Sequence, residues 1–208
     1  MMIVAAQQHA LLVIMHDATH VRLVAGKSYN DPVANWFCAF PAGLVTSLYR
    51  RGHLMHHSFA NTTLDPYFTQ MQAREHFKAP MPRGRFRSLP PGDAFGLHLK
   101  EWGDFVRPWR GWSFLFARQD GNWLSRNERI AFGLFWLAVL ASVAAAGQML
   151  YFIAIWIVPS LTFPLLFARV RIVAEHRSGH SRDELQRTRH VDAFFRERFL
   201  IADRKSVV

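Results

Sequence analysis

The clearest pattern in the sequence is an uncharged apolar run between Arg129 and Arg169. Residues 130–167 contain no charged side chain. One α-helix of that length, rising about 1.5 Å per residue, would far exceed the roughly 30 Å hydrocarbon core of a bilayer. We therefore predict two antiparallel membrane helices, joined by a tight turn near Gly147 and Gln148.

Charge at the ends of this hairpin predicts its orientation. Both flanks are basic and the turn is uncharged, and basic residues are retained on the cytoplasmic side of a membrane. The flanks are therefore predicted to be cytoplasmic. Pro159 and Pro164 are expected to kink the second helix, which a membrane helix tolerates. A buried hairpin inside a soluble protein is the alternative interpretation.

Two shorter apolar stretches precede the hairpin. Residues 1–15 are apolar apart from Gln7, Gln8 and His9, and they are too few for a full span. They are interpreted as the second half of a transmembrane helix, or as a short one. Residues 33–48 are predicted to form an in-plane or re-entrant helix. If this stretch crossed the membrane, the histidines on its two sides would lie on opposite faces.

The stretch 61–128 is polar and basic, and we expect it to be rich in loops. The proline-rich segments 79–84 and 90–92 are expected to break regular structure. Residues 169–208 are charged and are expected to be helical near the site described below. Aromatic residues of the polar stretch predict a belt at the membrane interface; they are Trp102, Phe105, Trp109, Trp112 and Phe114.

Composition agrees with an all-α integral membrane protein. The 208 residues allow a single domain, 1–208; half of them are hydrophobic and 19% are charged. A net charge of +10 is typical of proteins that meet nucleic acid or an anionic membrane surface. The basic residues flank apolar runs, so we favour the membrane and expect no nucleic-acid partner. Cys38 is the only cysteine, which excludes an intrachain disulfide and a thiolate metal site.

Five of the 11 histidines fall into two groups with helical spacing. His16 and His20 are four residues apart, so both rings lie on one helical face. In the second group, His56 and His57 follow His53 by three and four residues, so both lie beside it on a helix. Imidazole binds iron, zinc and copper, and a metal ion satisfies rings at the ends of apolar segments. Five histidines exceed the four ligands of a structural zinc, which favours a two-metal site.

Further residues are candidates for the same site. His176 follows the hairpin and is a lone candidate ligand. Asp17 and Glu175 are placed to accept hydrogen bonds from ligand N–H groups. Asp65 either orients a ligand or forms a plain turn before Pro66. Ordinary solvated or core histidines remain the alternative for all these ligands. The other histidines are interpreted as lying outside the metal site; they are His9, His76, His98, His180 and His190.

At these residues the sequence resembles the membrane fatty acid desaturase family. The run His16-Asp17-Ala18-Thr19-His20 is similar to its first histidine box. Residues 49–57, reading YRRGHLMHH, are similar to its second box with a Tyr-Arg lead-in. The turn 61–66 and the lone His176 also resemble family features. The resemblance extends to about residue 202, and the motifs together are more specific than either box alone.

The resemblance implies an oxidoreductase that removes hydrogen from an unactivated acyl chain of a membrane lipid. It implies O2 as the oxidant and an electron donor such as ferredoxin or a small haem protein. Related proteins hydroxylate or ketolate carotenoids or lipids, and the histidine boxes do not separate these substrates. Two iron ions on the cytoplasmic face are implied, with ligands His16, His20, His53, His56, His57 and His176.

The sequence departs from the family in two places. The third histidine box, a second His-x-x-His-His, does not occur after His176, and the first membrane segment looks short or missing. We expect from this that the chain is truncated, lacks several iron ligands and cannot desaturate, although its fold persists. A non-catalytic fragment is therefore an alternative to a desaturase, as is a carotenoid or lipid hydroxylase or ketolase.

Overall fold

A computed structural model describes residues 1–59, 62–67, 83–107, 110–115 and 124–176, without the side chains at 85, 86, 102, 105, 113, 114, 165 and 169–176. Within these ranges the chain is helical and forms no strand, which confirms the predicted all-α class. The helices are α1 (Met2–Thr19), α2 (Lys27–Ala34), α3 (Thr46–Phe59), α4 (Arg83–Ala94), α5 (Leu99–Val106), α6 (Gly111–Leu115), α7 (Arg126–Ala145), α8 (Met149–Phe152) and α9 (Val158–His176).

The predicted apolar hairpin consists of α7 followed by α8 and α9. The helix α7 begins with a capping box, in which the Ser125 side chain accepts from the Glu128 N–H and the Glu128 carboxylate accepts from the Ser125 N–H. It ends at a turn where Gly147 has a φ of 67°, a conformation that glycine adopts without steric cost. The turn therefore lies where the sequence predicts it, next to Gln148.

The exposure of the hairpin indicates membrane association. Two helical stretches, Arg126–Ala145 and Met149–Ala168, are long and apolar enough to cross a membrane. Only 11% of the residues in the most apolar 18-residue part of the first, and 18% in that of the second, are buried inside the protein. The core helices of a soluble protein would be mostly buried. Here large apolar side chains such as Leu134 and Leu150 are exposed instead. This finding argues against the alternative of a buried hairpin in a soluble protein.

Irregularity near Pro159 takes the form of a π-helical turn. Residues Ile153–Ile157 are π-helical, and the Val158 N–H bonds the carbonyl of Ile153, five residues back. Proline has no N–H and its ring clashes with the carbonyl four residues earlier, so an α-helical turn before it is strained. The wider turn accommodates the ring. Pro164 lies inside α9, and the helix continues past it.

Residues 33–48 do not form one helix. The helix α2 continues as a π-helical turn, Asn35–Ala39, and α3 begins only at Thr46. Gly43, with a φ of 74°, lies in the turn between them. The Asn35 side chain accepts a 2.9 Å hydrogen bond from the Thr46 N–H and closes this turn. The expectation of a single in-plane or re-entrant helix is thus replaced by two helices joined by a tight turn, because a proline and a glycine stand at its centre.

This turn packs against both candidate membrane helices. The Phe40 ring lies edge-on to Phe132 of α7, with 5.4 Å between ring centroids. On the other side, the Trp156 indole N–H donates to the Pro41 carbonyl at 3.2 Å. The stretch therefore returns after reaching the apolar hairpin, as the prediction of a non-crossing segment requires.

The N-terminal helix α1 packs along α9 and α3. Gln8 donates a 2.8 Å hydrogen bond to the Trp156 carbonyl, and the His9 ring lies 5.7 Å from that of Phe167. His9 is thus a buried core histidine, which agrees with its interpretation as a residue outside the metal site. The helix α1 is not among the two helices that are apolar enough over 18 residues to span a membrane.

The region 61–128 contains more helix than its composition predicts. In its described part it forms α4, α5 and α6. Pro90 and Pro91, expected to break regular structure, lie inside α4. That expectation is wrong because α4 packs against α9 and buries Leu89, so tertiary contact stabilises a helix with poor local propensity. Trp112 packs on Trp136 of α7 at 5.3 Å; the other predicted belt residues lie outside the described side chains.

The Arg50 guanidinium fastens α3 to the C-terminal end of α1 and to α2. It donates hydrogen bonds to the Thr19 carbonyl at 2.8 Å and to the Ala18 carbonyl at 2.9 Å. It also forms a bidentate ion pair with the Asp31 carboxylate, in which the Nη1–Oδ2 distance is 2.6 Å. Carbonyls at the end of a helix need partners outside that helix. The Asn30 side-chain amide donates a second hydrogen bond to the Ala18 carbonyl, at 2.8 Å. Arg50 therefore fixes where α1 ends relative to α3.

Asp31 is held in its charged form by this network. Burial alone raises the pKa of its carboxyl, but hydrogen bonds from Arg50 and Asn30 outweigh burial, so the pKa lies below its ordinary value of 3.8. A carboxyl with a lowered pKa stabilises the fold above its ordinary pKa, and this stabilisation is lost as the pH falls through the lowered value.

We expect Arg50→Met to reduce the free energy of unfolding by about 3 kcal/mol, because it leaves Asp31 as an uncompensated, largely buried charge. Thermal unfolding in detergent, followed by helical circular dichroism at neutral pH, measures the loss. The difference from the unsubstituted chain should shrink as the pH falls below 3.8. Arg87→Met, at an exposed arginine of α4, is the matched control. Equal thermal unfolding midpoints for the two variants would contradict the stabilising role of Arg50.

Candidate metal centre

Four imidazoles from two helices converge on one point. The helix α1 and its C-cap contribute His16 and His20, and α3 contributes His53 and His57. One ring nitrogen from each lies within 4.8 Å of those of all the others. The spacing of four residues within each pair places both rings on one helical face, and the packing of α1 on α3 brings the two faces together.

The ring nitrogens face one another as metal ligands do. The Nε2 atom of His53 lies 3.0 Å from that of His20 and 2.9 Å from that of His57. A neutral ring nitrogen carries one hydrogen or one lone pair, so His53 cannot form two good hydrogen bonds there. Two nitrogens bound to one ion at about 2.1 Å, at right angles, lie about 3 Å apart. The donor set therefore fits a metal ion that imidazole binds, iron included.

The protonation of the cluster also suits metal binding. Burial, followed by the neighbouring His16 and His57, lowers the pKa of His20 to about 4. Burial and the surrounding histidines lower the pKa of His53 much further, and burial and His56 lower that of His57. The rings of His20, His53 and His57 are consequently neutral at physiological pH, which is the form that binds a metal.

His56 lies beside the group of four and is held by Asp65. Its Nδ1 donates a 2.9 Å hydrogen bond to the Asp65 carboxylate, which is almost completely buried. The His56 and His57 rings are 5.9 Å apart. Asp65 also accepts from the Tyr67 N–H at 2.9 Å. The two readings of Asp65 from the sequence are thus both realised, since one carboxylate forms the turn and orients the histidine.

Two other contacts orient the rings of the cluster. The Nδ1 of His16 lies 3.2 Å from the Asp17 carboxylate, the acceptor expected from the sequence. The Tyr49 ring stacks on His53, with centroids 5.2 Å apart and an interplanar angle of 15°. A carboxylate at Nδ1 leaves the opposite nitrogen of the ring to bind a metal, and the stacked phenol holds the plane of His53.

Two predicted site residues, Glu175 and His176, lie at the end of α9, and four of the remaining histidines were predicted to lie outside the site. The helix α9 ends at His176, so the backbone carries Glu175 and His176 to its C-terminal end, but their side chains lie outside the described residues. His98 is not one of the four clustered histidines, and it hydrogen-bonds Asp93 at 2.7 Å. His76, His180 and His190 lie outside the described residues.

Sequence reasoning missed the residues that support the cluster. Arg50 and Tyr49 were noted only as a lead-in to the second histidine group, although one fixes α1 and the other stacks on His53. Asp31, the partner of Arg50, was not noted at all. Their positions offered a signal, because Arg50 and Tyr49 are three and four residues before His53 and therefore share its helical face.

Comparisons with known proteins agree with this geometry. The family model described as "Fatty acid desaturase" matches residues 1–201. The chain is 28% identical over 184 residues to dihydrorhizobitoxine desaturase of Bradyrhizobium elkanii, a match that covers 84% of this chain and 50% of that protein. The chain thus spans about half the length of the curated relative it matches. No solved structure matches the chain.

We expect the purified chain to bind one divalent transition metal through the four-imidazole cluster. Titration with Co²⁺, whose visible absorption reports its coordination, measures the affinity. His53→Gln removes the central nitrogen and should weaken binding by more than about 100-fold. Asp65→Asn loosens only His56, which lies outside the four, and should weaken binding by less than about 10-fold.

The matched control for this titration is His98→Gln, because His98 is a histidine outside the cluster. It should bind Co²⁺ as the unsubstituted chain does. Equal weakening by His98→Gln and His53→Gln would show that the cobalt binds elsewhere.

Proposed function

The chain belongs to the fatty acid desaturase family, and on this premise we propose that it is the part of a membrane desaturase that holds most of a di-iron centre. The proposed reaction is O2-dependent desaturation of an acyl chain in a membrane lipid. The observation that carries the proposal is the convergence of four imidazole nitrogens within 4.8 Å, next to two candidate membrane helices.

The proposed ligands are the histidines of the two sequence groups and His176. His16, His20, His53 and His57 bind one ion, and His56 with His176 contributes to the second. A protein longer than this chain, as the matched relative is, supplies the remaining ligands. Bound iron with O2 supplies the oxidising power to remove hydrogen from an unactivated alkyl chain.

The other residues orient the ligands and exclude water. The Asp17 and Asp65 carboxylates accept hydrogen bonds from the ring N–H groups of His16 and His56. We propose that Glu175 accepts one from a ligand near the end of α9. Tyr49 covers one face of His53, which is only 4% exposed. Ligands whose rings are held in fixed planes keep the oxidising chemistry of the centre on the substrate.

One specific observation supports a second candidate substrate. The matched relative is named for dihydrorhizobitoxine, so that compound is a second candidate substrate. An acyl lipid is favoured because the proposed centre lies beside apolar helices with exposed surfaces. Both reactions require O2 and an electron donor, for which we propose ferredoxin or a small haem protein.

We expect lipid extracts of a host that expresses the full-length protein with a ferredoxin system to contain new unsaturated acyl chains. His53→Gln should abolish them, since it removes the central ligand, and His98→Gln should not. Mass spectrometry of fatty acid esters measures the products. The 208-residue chain alone should give none.

Three results would contradict parts of this proposal. Hydroxylated or ketolated products would replace desaturation with oxygen insertion. Turnover of added dihydrorhizobitoxine without lipid products would replace the substrate. Desaturation by the 208-residue chain would show that the ligands expected from a third histidine box are not needed.

We also propose that the metal centre faces the cytoplasm, with the Gly147 turn on the opposite side. In a Cys38→Ala background, an impermeant maleimide added to intact cells should label Gln148→Cys but not Lys27→Cys. Lys27 is exposed at the start of α2, and Asn30 of the same helix donates to the Ala18 carbonyl, two residues before His20. Labelling of Lys27→Cys alone would reverse the topology, and labelling of neither until the cells are lysed would place both positions inside.

A further inference from the structure

The connection between α4 and α5 exposes large apolar side chains. Phe95 is 80% exposed and Leu97 is 77% exposed, and both belong to the turn that we call the tip loop, residues 95–97. Exposure of two neighbouring large apolar side chains is unfavourable in water. A contiguous apolar surface of this kind marks a contact with a membrane or another apolar partner.

The position of the tip loop identifies that partner. A Cβ atom added at Gly96 would lie 3.4 Å from the Thr162 methyl group and 3.8 Å from the Leu161 carbonyl. The loop therefore touches the second candidate span, Met149–Ala168. At about 1.5 Å per residue, Leu161 lies about 10 Å from the end of that span, inside the depth of a bilayer. Leu161 is itself 42% exposed, so its apolar surface continues into that of the loop.

The backbone of the tip loop is suited to an apolar environment. The Phe95 N–H bonds the Pro91 carbonyl at 3.0 Å, the Gly96 N–H bonds that of Asp93 at 3.1 Å, and the Leu97 N–H bonds that of Gly92 at 2.8 Å. Within a bilayer each backbone N–H needs a partner inside the protein. All three N–H groups of the tip meet this requirement.

The polar side chains next to the tip are turned against each other. The His98 Nδ1 donates 2.7 Å to the carboxylate of Asp93, whose side chain is fully buried. A Cβ at Gly92 would lie 2.5 Å from the His98 ring, so this pair can close only over a glycine. The pair removes both polar groups from the outer face of the loop and leaves Phe95 and Leu97 there.

Charge marks the outer limit of this apolar surface. Lys100 follows the loop by three residues, and its side chain is 91% exposed and pairs with Asp104. A lysine at the end of an apolar surface extends its ammonium group towards water or lipid phosphate. The exposed surface therefore changes from apolar to charged between Leu97 and Lys100.

From these observations we propose that the tip loop inserts into the lipid bilayer beside α9, with Phe95 and Leu97 among the acyl chains. This anchors the polar region between the histidine helices and the hairpin to the membrane at a point other than the hairpin itself. The inference rests on the membrane placement of α9 in the proposed function.

Spin labels test the insertion directly. In a Cys38→Ala background, nitroxides attached to Phe95→Cys and Leu97→Cys are compared, in phospholipid vesicles, for collisions with O2, which concentrates in lipid, and with a nickel chelate, which remains in water. Both positions should show a ratio of oxygen to nickel collisions several-fold above that of Lys100→Cys. Leu134→Cys, on the exposed face of α7, is the reference for a position inside the bilayer.

The outcomes separate the loop from the hairpin. Nickel access at 95 and 97, with oxygen access at Leu134, would overturn the insertion and leave the membrane placement of the hairpin intact. Nickel access at Leu134 as well would overturn both. Protection of 95 and 97 from both reagents, or dipolar broadening between labels, would mean that protein covers the loop, from this chain or a second copy, and would also overturn the proposal.

Discussion

Four histidine rings can share one point only if the helices that carry them end on the same side of the apolar hairpin. The segment between α1 and α3 must therefore run towards the apolar hairpin and then turn back to the side from which it started. Its turn at Pro41 and Gly43 reaches the hairpin, where Phe40 packs on Phe132 and Pro41 accepts from Trp156. The convergence of His20 with His53 at 3.0 Å depends on this return.

Polar groups next to apolar surfaces must find partners inside the protein, and here these partners position the proposed metal site. Asn35 satisfies the Thr46 N–H at the start of α3. Arg50 satisfies the Thr19 carbonyl, one residue before His20, from a position three residues before His53. One guanidinium thus sets the relative position of the two histidine pairs, so the stability of the fold and the geometry of the cluster are linked.

The region between the histidine helices and the hairpin shows how tertiary contact overrides local preference. Pro90 and Pro91 are helical in α4 because that helix packs on α9. The same contact places Gly96 against α9 and turns Phe95 outward. A segment whose composition suggests a polar loop therefore carries both a helix and an apolar tip.

The sequence by itself determined the elements whose signal is local. An uncharged run between two arginines specified the hairpin, Gly147 specified its turn, and spacings of four placed His16 with His20 and His53 with His57, because helical periodicity and burial in lipid act along a continuous stretch. Only the tertiary structure decided that the two pairs meet, that Arg50 binds Asp31, and that Asp65 holds His56. These contacts join residues from separate elements, and no periodicity in the chain encodes which faces will pack together.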